Sequence, residues 1–195
     1  MKKIQLSLIY LSVAIAALVS VNSYSQNRTV LAEAERISGD RFMIVTRTPQ
    51  GAVVNALTRP NRETLAAIDA GLTELFEVAR RNGYRKALRY SDYTIYIAKA
   101  DREKDADGRY SPDIAVPSAQ YAGSAYDKGG FIYVAGIVVA LNPCAFMIAE
   151  HTKDYSRIST AVRNEGEHLV LYHNDRKRFG ETADHSKGGG HPILQ

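Results

Sequence analysis

Cysteine is nearly missing. The 195 residues hold one, Cys144, so no internal disulfide can form and the core has to be built by packing alone. Cys144 follows Pro143 in the apolar run LNPCAFMIA, with no basic neighbour to favour a thiolate. It reads as a small buried hydrophobe rather than a nucleophile. Blocks of like charge are missing too. Lys and Arg number 25 and Asp and Glu 21, a formal net charge of +4. The charges are interspersed. The two short basic runs, RRNGYRK at 80–86 and RKR at 176–178, read as solvated helix ends, where cations are favoured. Either could instead touch an acidic polymer, but nothing in the pattern points to nucleic acid. No internal repeat is visible.

The N-terminus follows a processing pattern. Lys2 and Lys3 precede an apolar stretch from Leu6 to Val21, and Ser23-Tyr24-Ser25 puts small residues at the −3 and −1 positions of a cleavage site. Residues 1–25 therefore read as a secretory signal peptide, cut after Ser25. The apolar stretch is shorter than the ~20 residues a membrane span needs, so no stable insertion is expected once the signal is removed. No cysteine lies near the cut, which argues against a lipid anchor. The chain is expected to be exported, to a periplasmic or extracellular compartment. Residues 26–195 then form a single mature domain.

Along that domain, 26–40 reads as a polar lead-in and 41–46 as a first strand. The stretch 48–61 reads as a turn-rich connector. Leu65, Ile68, Leu72, Leu75, Phe76 and Ala79 make one apolar stripe, predicting a helix over 62–84 with Asn61 as N-cap and Gly83 as its stop. Alternation in SDYTIYIAKA predicts a strand over 91–100. In the following loop, Asp105-x-Asp107-Gly108 resembles part of a calcium loop but lacks its last glutamate, so it reads as an exposed turn. A hairpin at 127–130 and an apolar strand over 131–142, kinked near Gly136, come next. The glycine- and tyrosine-rich edge at 121–136 is either an ordinary sheet edge or a contact surface. A second helix runs from Ser156 to about Arg178, and a glycine-rich loop closes the chain. The expected class is α+β: a mixed sheet with two main helices and a C-terminal glycine-rich loop.

The chemistry-bearing residues gather late. All five histidines fall between His151 and His191. In the second helix, Ile158, Ala161, Val162, Glu165, His168, Leu169 and Tyr172 share a face, with Asn164 at its margin. Arg163 and Glu167 turn the other way, so Glu167 is expected at the surface. A carboxylate and an imidazole on an apolar face need a partner, because a lone buried charge costs several kcal/mol. A cation would supply it, and so would an internal salt bridge.

Asn164-Glu165-Gly166-Glu167-His168 resembles the H-E-x-x-H signature of the zincin metallopeptidases, with asparagine in place of the first histidine. The resemblance covers these five residues and implies a zincin-like domain. It makes His168 a zinc ligand and Glu165 the catalytic base that activates water. Asn164 is a poorer ligand than imidazole. In a second arrangement Glu165 and His168, at i and i+3, both ligate, and Glu165 is no longer free as base. The loop can fold back to bring His185 first, or His191, as a further ligand, while His173 is about 140° around the helix from His168 and points away.

The expectation is an exported, zinc-dependent, peptidase-like hydrolase acting on a peptide or protein. The alternatives are a non-enzymatic exported binding protein and a catalytically dead zincin relative.

Overall fold

The computed structural model describes residues 28–99, 127–128, 131–132, 138–150, 154–183 and 190–195. Residues 28–38 are helical (α1). Then follow β1 (Ile44–Arg47), β2 (Val53–Ala56), α2 (Arg62–Arg81), β3 (Tyr93–Ala98), β4 (Asp127–Lys128), β5 (Phe131–Ile132), β6 (Val138–Ala140), β7 (Cys144–Ala149), α3 (Tyr155–Asn174) and α4 (Arg176–Thr182). A five-stranded sheet has the order β1-β2-β3-β7-β6, and β4 and β5 form a separate hairpin. Strands β2, β3 and β7 are parallel, while β1 and β6 join antiparallel at the two edges. The fold is α+β with a mixed sheet, as the pattern of elements predicts.

Burial explains the strand composition. Every residue of β7 is buried, and β3 is buried except at Thr94. Apolar runs of this kind belong to strands covered on both faces. On one face Tyr93 packs against Phe76 of α2 and Phe146 of β7. On the other, Tyr96 meets Phe42, which follows α1. Cys144 sits in this core, 4% exposed, with its thiol pushed up to about 12 by burial. It is the buried hydrophobe that its setting predicts.

Helix α2 begins where expected. The Asn61 side chain accepts from the Thr64 N–H at 2.7 Å, and Gly83 takes a positive φ of 81° just past the end. Its neighbour on the same face of the sheet is α3. The two approach closely at Gly71, where a methyl group would overlap the Ser159 carbonyl oxygen and lie 2.9 Å from Val162 Cβ.

Three expectations need correction, and one element was not foreseen. Residues 28–38 are helical, not a polar lead-in: Val30, Ala34 and Ile37 form a narrow buried stripe among the polar residues. The connector 48–61 contains β2, whose four residues are made a strand by pairing with β1 and β3 rather than by local pattern. The apolar run after Pro143, to which the sequence pattern assigns no element, is β7, an inner strand between β3 and β6. The second helix breaks at Asp175, which ends α3 and caps α4 by accepting from the Arg178 N–H at 3.0 Å. The proposed signal segment, the calcium-like turn at 105–108, most of the edge at 121–136, His151 and His185 lie outside the described residues.

Candidate metal centre

The centre is built on the middle of α3. Glu165 and His168 are three residues apart, so they project from adjacent positions on neighbouring turns. Both are buried, with His168 fully so. Gly166 between them lets α3 lie against Leu75 of α2. The third member comes from the other end of the domain. The C-terminal segment 190–195 returns over α3 and places His191 against His168, with ring centroids 4.9 Å apart in an edge-to-face arrangement. His191 Nε2 lies 4.0 Å from Glu165 Oε1. One ligand-type atom from each of Glu165, His168 and His191 lies within 4.8 Å of the other two.

Glu167 is where the expectation fails. It is not a surface residue: its exposure is 0%. The helical phase does turn it away from Glu165, but the C-terminal segment covers that side as well. Glu167 collects four donors there. Arg163 Nη1 donates at 2.6 Å, His191 Nδ1 at 2.8 Å, Ile193 N at 2.8 Å and Leu194 N at 3.1 Å. Burial alone would push its carboxyl up. The hydrogen bonds from His191, Ile193 and Leu194 and the Arg163 charge outweigh that and hold it below the ordinary glutamate value. Arg163, also buried, donates through Nη2 to the Leu194 carbonyl and pairs through Nε with Glu74 at 2.9 Å.

This arrangement sets the chemistry of His191. An ionised Glu167 can only accept, so Nδ1 of His191 donates to it; in a neutral ring the lone pair then falls on Nε2, which faces Glu165. A carboxylate behind a histidine is the usual support of a metal-ligating imidazole. Two imidazoles and a carboxylate also match the donor preferences of zinc. Donors about 2.0–2.1 Å from a tetrahedral ion lie roughly 3.4 Å apart, so the 4.0 Å gap between Glu165 and His191 is close to what coordination needs.

Of the residues singled out from sequence, the fold brings together Glu165, His168 and His191. Glu165 stands with the two imidazoles, as the arrangement in which Glu165 and His168 are both ligands requires. Asn164 is half-buried, its side-chain oxygen 3.5 Å from Arg163 Nη1. His173 turns elsewhere, its Nε2 2.8 Å from the Leu141 carbonyl. Sequence reasoning missed Glu167 and Arg163. Their spacing of four was a usable signal for a helical ion pair, but nothing local marked the pair as buried.

Searched against models of protein families, against curated proteins and against solved structures, the chain finds no match in any of the three, so the use of this centre has to be read from its own residues.

Proposed function

We propose that the protein binds one divalent transition-metal ion, zinc in the first place, through Glu165, His168 and His191. The observation that carries this reading is the convergence of the three donors within 4.8 Å, with Glu167 fixing the His191 ring from behind. Two histidines and a glutamate are a known ligand set of catalytic zinc sites, which keep their fourth position open. Such an ion would serve as a Lewis acid. On that ground the activity class is hydrolysis, with a peptide or protein as substrate and export as the setting. The N-E-G-E-H helix supports a zincin-like relationship in its use of His168, but here Glu165 serves as ligand and the base has to be another group.

A second reading is favoured by burial. Glu165 and His168 are 6% and 0% exposed, and one ligand comes from the C-terminal segment. An ion in this place would tie that segment to α3 whether or not it meets a substrate, as a catalytically silent relative of metallopeptidases would do.

Elemental analysis of residues 26–195, purified without chelator or affinity tag, tests the binding. About one metal ion per chain, lost in His168→Ala and in His191→Ala, is the expected result. A metal-free protein that takes up no added zinc would refute it and leave the cluster as an internal polar network. Peptide hydrolysis by the loaded protein, abolished by the same substitutions, selects the first reading over the second.

A further inference from the structure

The two basic runs that look separate in the sequence meet in space. Asn174, the last residue of α3, clamps the loop after α2. Its Oδ1 accepts from Arg85 N at 3.0 Å and Lys86 N at 2.9 Å, and its Nδ2 donates to the Lys86 carbonyl at 2.9 Å. Next to it, Tyr84 donates to Asp175 at 3.2 Å. The run 176–178 therefore starts beside the run 80–86, and both lie at one end of the molecule.

Between Arg80, Arg85, Lys86 and Arg89 lies an open concavity of about 770 Å³. Its lining holds one acid, Asp92, which is already held by the Arg89 guanidinium at 2.7 and 3.0 Å. Four cations and one anion leave a formal charge of +3 facing the space. The C-terminal end of α2 opposes this with only about half a negative charge. Its carbonyls are moreover engaged: Asn82 Nδ2 donates to Val78 O, and Arg85 Nη1 to Arg80 O.

The loop carrying these cations is fixed. Ala87 has a φ of 56°, a left-handed conformation that residues other than glycine seldom adopt. It is held by the Asn174 clamp on one side and on the other by Tyr93, whose hydroxyl donates to the Ala87 carbonyl at 2.8 Å. A backbone outlier stabilised from two sides, beneath a row of exposed arginines, is a reason to look for a ligand.

We propose that this concavity binds a linear phosphate polyanion that carries no bases, of the inorganic polyphosphate kind. The arginine fork matches phosphate oxygens two at a time. The cations are exposed and spread along a surface, which suits a chain of charges better than one enclosed ion. Leu88, the larger apolar side chain of the lining, is half-buried, so the surface presents no apolar anchor for a bilayer. Tyr84 and Tyr90 are half-buried and hydrogen-bonded, to Asp175 and Thr73, so they offer no stacking platform for nucleic-acid bases.

The test uses inorganic polyphosphate as probe, with single-stranded nucleic acid and anionic vesicles in parallel. Arg85→Glu with Lys86→Glu should weaken polyphosphate binding at least tenfold. Arg59→Glu with Arg62→Glu, an equal charge change at the far end of α2, should leave it within twofold. Arg85→Gln with Lys86→Gln gives a milder second measure should charge reversal disturb the loop. Loss of affinity should steepen with falling salt, and His168→Ala should not affect it. Absence of polyphosphate binding, an equal loss in both double variants, or equal or tighter binding of nucleic acid or vesicles would each overturn the proposal.

Discussion

Helices α2 and α3 are the same length, 20 residues, and lie side by side on the same sheet. They differ in what surrounds them. Helix α2 buries one stripe and leaves Glu63, Glu74 and Glu77 exposed. Helix α3 is buried without interruption from Glu165 to Leu171, two full turns. A helix buried all round needs cover on both sides, and here α2 and the sheet supply one side and residues 190–195 the other. The exposed Glu63 and Glu77 of α2 need nothing from the fold, and its one buried acid, Asp69, accepts from Gln50 N at 2.9 Å. The buried charges of α3 require each other: Glu167 needs Arg163 and the backbone of the C-terminal segment, and that segment is what carries His191.

The largest contrast should come from removing one carboxylate from each helix. Glu167→Ala leaves Arg163 partly uncompensated in the core and strips an acceptor from His191, Ile193 and Leu194. Breaking a buried pair in this way costs about 3–5 kcal/mol. Glu77→Ala on the exposed side of α2 should stay within about 0.5 kcal/mol. Urea unfolding of both variants measures the difference, and similar values for the two would dissolve the contrast between the helices. The same carboxylate predicts a pH dependence. Its folded-state ionisation lies below the ordinary value near ~4.3. The stability it contributes is therefore complete above about that pH and is lost as the pH falls through the lower folded value. Melting temperatures followed down through this range should fall in the wild type. In Glu167→Gln, this part of the fall should be missing.

The next effect lies where the two helices touch. Gly71 of α2 faces backbone, the Ser159 carbonyl, whereas Gly166 of α3 faces the end of a flexible side chain, Leu75. Backbone cannot step aside and a leucine tip can. Gly71→Ala should cost about 1–3 kcal/mol, the usual range for overpacking. Gly166→Ala should cost less, because the Leu75 tip can yield; the roughly 0.8–1.0 kcal/mol by which alanine favours a helix over glycine applies to both. Thermal unfolding decides the order. A larger loss in Gly166→Ala would place the tight contact at the turn that carries Glu165 and His168 instead.

What could be read in advance follows the same division. The stripe of α2 and the alternation of β3 are local, and both elements stand where the pattern puts them. Glu165 and His168 were legible because helical phase alone sets them among apolar neighbours. β2 was hidden because its four residues become a strand only through partners at 44–47 and 93–98. Glu167 was hidden for a related reason. Phase correctly turned it away from the core side, but the cover that buries it arrives from residues 24–27 positions further along the chain. His191 could be reached by loop length, yet no local feature ranked it above His185. Phase locates a face, and only tertiary structure says whether that face is wet.

The smallest expected effect asks whether the helices differ at their starts. Asn61 Oδ1 accepts from Thr64 N at 2.7 Å at the beginning of α2, and Asp154 Oδ1 accepts from Arg157 N at 3.2 Å at the beginning of α3. Each satisfies one of the N–H groups that the first turn leaves over. Replacing either cap by alanine should cost about 1 kcal/mol. Asn61 has one further bond, from Nδ2 to the Tyr155 hydroxyl at 3.1 Å, which links the two starts. Tyr155→Phe would keep the cap and remove the hydroxyl that this bond needs, so it separates the link from the cap. If Tyr155→Phe matches the wild type and both alanine variants lose about the same, the helices begin alike and what distinguishes α3 is its covered face. A much greater loss for Asp154→Ala would mean that the stability of α3 depends on its first turn as well, and the burial of Glu165 to Leu171 would no longer account for the whole difference.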